Sequence, residues 1–305
     1  MFTRRRFVYG LSASVMGAQL PRVALAASAA THAMSSRRIP SSGQMVPVIG
    51  MGTADSFNVG ASEGVRAPLR EVMRRFFAAG ASVIDTAPSY GQSETVVGDL
   101  LAELGLRDKA FLCTKIGASG RDNGQAQFQE SLRRLKTDKV ELLQVHNLLD
   151  WKTQLALINE LKAQGKVRYS GLTHYHEGGH DELADVVQAT RPDFLQINYS
   201  VISTGAEKRL FPMAQDLGVA VLINRAFDDG RLFRDVGDKA LPGWAAEVGI
   251  TSWAQAFLRF AISPPAVTAV IPATSRPDRQ SDNLKAGGGP VLTAEQRRSL
   301  QALFA

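Results

Sequence analysis

A short apolar run, Ala81-Ser82-Val83-Ile84, ends in Asp85, and a loop containing Pro88 presents Tyr90 just before Gly91. Two further apolar runs deliver one polar group each at the matching place: Phe111-Leu112-Cys113-Thr114 ends in Lys115, and Leu142-Leu143-Gln144-Val145 ends in His146. An isolated buried ammonium is costly, so Lys115 needs a partner, and Asp85 on the neighbouring run is the obvious one. A phenol beside an ammonium is expected to ionise more easily, which lowers its pKa and suits Tyr90 to proton transfer at an oxygen. His146 can add a hydrogen bond that orients that oxygen. Each residue alone has an ordinary structural reading, as a packing ion pair or a satisfied core histidine. Four of them on three successive strand ends are hard to explain as scaffold.

Such ends require a sheet whose strands all point the same way. From Val46 onward β-branched runs alternate with amphipathic stretches, and eight strands are read: 46–52, 81–85, 110–116, 140–146, 167–172, 194–198, 219–224 and 267–272. Helices are expected at 71–79, at 94–104 before Gly105, and at 154–164 with Thr153 as N-cap. Eight strands, each followed by a helix, predict an α/β protein built as one closed (β/α)8 TIM barrel over 44–305. A final helix at 293–304 follows, opened by a Thr293/Gln296 capping box. In such barrels the site lies at the C-terminal strand ends. That face collects Asp85, Tyr90, Lys115, His146, Thr173, His174, Gln196, Asn224 and Arg225.

The first residues read differently. Thr3-Arg4-Arg5-Arg6-Phe7-Val8 matches the twin-arginine pattern, a mildly apolar stretch follows, and Ala24-Leu25-Ala26 is an A-x-A cleavage site. Residues 1–26 are expected to be an export signal leading to the periplasm; a basic arm or an uncleaved tether, leaving the protein cytoplasmic or membrane-tethered, is the other reading. Residues 27–43, rich in Ala and Ser, read as a flexible lead-in outside the fold. The net charge is +6, but four of those charges are Arg4, Arg5, Arg6 and Arg22, with no acid among residues 1–26. The remainder has no electrostatic footprint for nucleic acid. Cys113 is the single cysteine, so an internal disulfide is excluded. After residue 26 nothing is apolar for long enough to span a bilayer. His174, His176 and His180 have zinc-like spacing, but no cysteine or acidic cluster supports a metal site.

Ile84-Asp85-Thr86-Ala87-x-x-Tyr90-Gly91, Thr114-Lys115-Ile116-Gly117 and Leu142-Leu143-Gln144-Val145-His146-Asn147, in that order, resemble the aldo-keto reductase family, from about Gly50 to Ala286. The resemblance implies that Tyr90 protonates a substrate carbonyl as NADPH delivers hydride, that Asp85 and Lys115 tune the tyrosine, and that His146 orients the substrate. It also implies cofactor contacts from Gly52, Thr53, Asp85, Thr173, His174 and Gln196, and from Asn224, Arg225, Phe227 and Gly230. The segment Ile271–Arg279 with Asn283 resembles the adenosine and 2′-phosphate site, through Ala273, Thr274, Ser275, Arg276, Arg279 and Asn283. Ser/Thr hydroxyls at a helix start with two arginines suit a dianionic phosphate, which favours NADP over NAD. The implied partner is a small-molecule carbonyl compound. Some family members serve instead as cofactor-sensing subunits, and that alternative stays open.

Three departures stand out. His174 replaces the usual asparagine, Asn224 stands where an aromatic ring normally stacks on the nicotinamide, and no long C-terminal tail follows the last helix. An open substrate mouth is expected, shaped by residues 55–63 and by Trp151.

Overall fold

The computed structural model describes residues 33–304, and the export-signal reading at 1–26 lies outside them. The strands are β1 (Ser36–Arg38), β2 (Met45–Pro47), β3 (Met51–Gly52), β4 (Val83–Asp85), β5 (Phe111–Ile116), β6 (Val140–Val145), β7 (Val167–Thr173), β8 (Phe194–Asn198), β9 (Ala220–Asn224) and β10 (Val267–Val270). The helices are α1 (Glu63–Ala78), α2 (Ser93–Leu104), α3 (Arg121–Arg134), α4 (Trp151–Ala163), α5 (His180–Thr190), α6 (Leu210–Leu217), α7 (Arg231–Val236), α8 (Trp253–Ile262), α9 (Pro277–Lys285) and α10 (Ala294–Gln301). Strands β3 to β10 lie side by side in chain order, all parallel. Gly50 N donates to Val270 O at 2.8 Å and Gly52 N to Pro272 O at 3.1 Å, which joins the first strand to the last. The fold is the eight-stranded (β/α)8 barrel expected from the sequence, with α10 added. Gly52 is required by this closure, since a Cβ there would lie 2.8 Å from Ile271 O.

Alternation along each strand decides what fills the barrel. On β5, Phe111, Cys113 and Lys115 share one face, while Leu112, Thr114 and Ile116 share the other. Phe111 and Cys113 join Val83, Leu142, Tyr169, Phe194, Ala220, Leu222 and Ala269 in one buried cluster. Leu112, Ile116, Leu143, Leu195 and Ile197 belong to the larger cluster packed under the helices. The same two-residue step carries the inward row up to Asp85, Lys115, Gln144 and Gln196, a polar layer at the C-terminal strand ends.

Residues 36–43 are not part of a flexible lead-in. Strand β1 pairs antiparallel with β2, and Ile39 is fully buried in the barrel-interior cluster with Val46. The Tyr169 hydroxyl bonds with Ser42 Oγ at 2.7 Å and Gln44 Oε1 at 2.9 Å, fixing this hairpin over the N-terminal end of the barrel. Arg37 clamps it further by donating to Pro264 O (3.0 Å), Ile262 O (2.5 Å) and Val267 O. The Ala/Ser-rich composition concealed this role because one isoleucine and one arginine carry it. Arg37→Ala is therefore expected to lower stability by about 2–3 kcal/mol, seen as a lower urea midpoint at unchanged slope. An unchanged midpoint would show that the clamp contributes nothing.

Three boundaries differ from expectation. The run 46–52 splits into β2 and β3 around Val48–Gly50. Helix α1 begins at Glu63 rather than 71 and carries Pro68 within it, in its second turn, close to the helix start. Helix α4 is preceded by Asp150 rather than capped by Thr153; Thr153 Oγ1 donates to Asp150 Oδ1 at 2.8 Å. The capping box of α10 is present in both halves, with Thr293 N on Gln296 Oε1 at 2.9 Å and Gln296 N on Thr293 Oγ1 at 3.2 Å. No helix of the described residues is long and apolar enough to cross a membrane.

Candidate active site

Lys115 is 1% exposed at the top of β5, and its ammonium donates to Asp85 Oδ2 at 2.7 Å and Thr86 O at 2.8 Å. The other carboxylate oxygen, Oδ1, accepts from Gln144 Nε2 at 3.1 Å and Gln196 Nε2 at 2.8 Å. Gln144 lies in the run that carries His146, yet the sequence reading gave it no role. The signal was available, since it stands two residues before His146 and so on the same face. Gly171 makes room for it: a Cβ there would meet Gln144 Cγ at 2.8 Å. Thus Gln196 spends its amide N–H groups on Asp85 and Gln144 rather than on the cavity.

Tyr90 follows from a loop tied to the first strand. Thr53 Oγ1 donates to Asp85 O at 3.0 Å, and Ser93 Oγ donates to Thr53 O at 3.1 Å. The Lys115 ammonium lies 5.0 Å from the centroid of the Tyr90 ring, and His146 packs edge-on against it with centroids 6.0 Å apart. His146 stands one residue beyond β6, opening a short 3-10 turn.

The electrostatics correct one expectation. Tyr90's pKa is raised, not lowered. Burial pushes it up, Lys115 pulls it down, and the carboxylates of Asp85 and Asp55 add to the rise. Burial alone would lower the pKa of Lys115, but attraction to Asp85 and Tyr90 outweighs it and keeps the ammonium charged. Burial and the neighbouring Lys115 charge drive His146 down to about 3, so its ring is neutral at ordinary pH. The site therefore offers a protonated phenol and a neutral imidazole, both able to donate to a carbonyl oxygen.

A cavity of about 1180 Å³ opens at this end of the barrel, above the range of about 300–1,000 Å³ typical of small-ligand sites. Its wall brings together Asp85, Tyr90 and His146 with Gly52, Thr53, Gln196, Asn224, Arg225, Phe227, Gly230, Ala273, Thr274, Arg279 and Asn283. Lys115 lies just beneath it. The wall does not include Thr173, whose hydroxyl accepts from Asn147 N at 3.0 Å, or His174, whose ring packs over Gly179. Nor does it include Ser275, Arg276 or Trp151. Arg276 turns to Asp278, with Nη2 and Oδ2 2.8 Å apart. His180 is buried against Asn198 Oδ1 at 3.0 Å, whereas His174 and His176 meet edge-on at 4.4 Å.

Several lining residues were missed by sequence reasoning: Tyr175, Phe233, Trp253 and Asp282. Asp55, the first residue of the stretch 55–63 expected to shape the mouth, does line it. At the far end Phe257 packs against both Phe233 and Trp253, with ring centroids 5.5 Å apart in each pair, and against Phe304 at 6.0 Å. Trp253 Nε1 donates to Lys239 O at 2.9 Å, and Lys239 Nζ donates to Leu303 O at 3.3 Å.

Asn224 tests whether a nicotinamide nucleotide fits. Its Nδ2 donates to His174 O at 3.0 Å, but its Oδ1 is buried on the cavity wall without a partner among the described residues. A carboxamide N–H would satisfy it. With Arg279 and Thr274 further along the same wall, the donor and acceptor set suits a dinucleotide.

Barrel, polar layer and cavity together define a TIM-barrel oxidoreductase site, and the chain belongs to the aldo/keto reductase family, whose profile it matches over residues 48–304. Among curated relatives, methylglyoxal reductase YeaE of Escherichia coli (strain K12) is 30% identical over 246 residues, 78% of this chain and 84% of that protein. The NADH-specific methylglyoxal reductase of the same strain is 26% identical over 198 residues, 54% of this chain and 58% of that protein. Aldo-keto reductase YhdN of Bacillus subtilis (strain 168) is 31% identical over 169 residues, half of each chain. A crystal structure of an aldo-keto reductase from Klebsiella pneumoniae in complex with NADPH superposes with a TM-score of 0.74 at 26% identity, over 89% of this chain and 95% of that one.

Proposed function

We propose that this protein reduces aldehydes or ketones with NADPH, Tyr90 giving its phenolic proton to the carbonyl oxygen. When bound, the nicotinamide supplies the hydride. The chain's own groups do the rest. Lys115, kept charged by Asp85, stabilises the phenolate left after proton transfer, and neutral His146 donates a hydrogen bond that fixes the carbonyl's direction. Asn224 offers an acceptor for the cofactor's amide. The observation that carries the reading is the Asp85–Lys115 pair with its ammonium 5.0 Å from the Tyr90 ring, at the wall of a cavity large enough for both reactants.

NADPH is favoured by Arg279, which lines the cavity beside Thr274 and has no carboxylate within salt-bridge distance among the described residues. Arg276 adds less, because it is committed to Asp278. Arg279→Ala is expected to weaken NADPH binding about 10- to 100-fold while changing NADH binding little, as fluorescence titration would read. Equal loss for both nucleotides would remove the 2′-phosphate assignment. Two of the relatives are methylglyoxal reductases, one of them NADH-specific, so small 2-oxoaldehydes head the substrate panel. The direct test is NADPH and NADH titration followed by turnover on methylglyoxal and other carbonyl compounds; no turnover with any of them would end the reading. We place the protein in the periplasm on the strength of Arg4-Arg5-Arg6 and Ala24-Leu25-Ala26, carried there folded with its cofactor. Fractionation of cells producing the full chain checks this.

A further inference from the structure

Five carboxylates line the cavity: Asp55, Asp85, Asp229, Asp278 and Asp282. Four are committed. Asp85 pairs with Lys115, Asp229 with Arg225, Asp278 with Arg276, and Asp282 accepts from Ser252 Oγ at 2.5 Å and Gln255 Nε2 at 2.6 Å. Asp55 has neither an ion-pair nor a side-chain hydrogen-bond partner among the described residues, and it is exposed to the cavity.

Its position is fixed, not incidental. Phe57 is fully buried, and its N–H donates to Thr53 O at 3.1 Å. Asn58 Oδ1 accepts from Gln92 N at 2.9 Å, which ties this loop to the one bearing Tyr90. Gly91 permits that approach, since a Cβ there would sit 2.3 Å from the same oxygen. Asp55 itself holds φ at 57°, a left-handed conformation uncommon for a non-glycine residue. Its charge is close enough to Tyr90 to contribute to the raised phenol. The other groups around the mouth offset none of it: Tyr90, neutral His146, Tyr175, Gln196 and Asn224 are uncharged. The Arg225 guanidinium is bound to Asp229 and lies over the Tyr175 ring, 5.6 Å from its centroid. The carbonyl end of the cavity thus carries one uncompensated negative charge.

We propose that Asp55 selects substrates by charge: neutral or cationic carbonyl compounds with a hydroxyl or ammonium donor near the carbonyl are accepted, and carboxylate-bearing ones are turned away. This rests on the carbonyl-reductase reading of the same site. A unit charge a few ångströms from a bound anion, in a partly desolvated mouth, is expected to act about tenfold on affinity.

The test compares wild type with Asp55→Asn, a change that removes the charge, keeps the shape and tolerates the left-handed backbone. Steady-state reduction of 4-nitrobenzaldehyde and 4-carboxybenzaldehyde is measured with both proteins. Independently of turnover, calorimetric Kd values for 4-carboxybenzaldehyde are taken on protein saturated with oxidised nucleotide. The substitution is expected to raise the ratio of kcat/KM for the carboxylate to that for the neutral aldehyde about tenfold, and to tighten the calorimetric Kd by the same factor. About 0.5 M potassium chloride should shrink the wild-type discrimination. An unchanged ratio and Kd would overturn the assignment, as would a gain confined to nucleotide affinity, which would place Asp55 against the cofactor instead. If neither aldehyde is reduced by either protein, the reductase reading falls, while the calorimetric comparison still decides for or against Asp55.

Discussion

Tyr90→Phe is expected to cut kcat/KM for aldehyde reduction by about two to four orders of magnitude, with NADPH affinity nearly unchanged. The substitution removes one oxygen and leaves the ring that packs edge-on against His146. The loss should fall on kcat, because the hydroxyl acts where charge develops on the carbonyl oxygen. The raised phenol adds a second expectation. An acid must be protonated to act, so the rate falls only as pH rises through its pKa. Upward displacement by burial, Asp85 and Asp55 moves that limb above the usual phenol range near 10. A wild-type profile already falling at pH 8, or a Phe variant with full turnover, would remove Tyr90 from the acid's role.

Lys115→Met is expected to have the largest effect on the fold itself. Asp85 would remain buried with only the amides of Gln144 and Gln196 facing it, and Thr86 O would lose its donor. Removing one partner of a buried pair costs about 3–5 kcal/mol, because the remaining charge is uncompensated. The double variant Lys115→Met with Asp85→Asn should recover much of that stability, since no buried charge then remains. It should not recover turnover, because nothing stabilises the tyrosine's anion. Denaturation midpoints and kcat/KM measured on both variants separate the two roles. If activity returned together with stability, the pair would be scaffold alone.

The two-residue step along β4, β5 and β6 made the polar layer legible in the sequence, because burial on both faces leaves few ways to seat an acid, an amine and a histidine at strand ends. The same step should have revealed Gln144. Other features had no local signal. The hairpin of Ser36–Arg38 depends on carbonyls more than two hundred residues away, which no window of sequence displays. The direction of the Tyr90 shift was misread because adjacency to Lys115 was weighed without desolvation, the largest contribution. Thr173 and His174 were placed correctly on the chain, yet their side chains turn to Asn147 and Gly179, and strand register alone does not fix a rotamer.

Phe304 never meets the cavity, yet it braces Phe257, which in turn supports Phe233 and Trp253 on the wall where the nucleotide end would rest. On the proposed reading, a ring at the molecule's outer flank would thus help hold the wall against which the coenzyme rests.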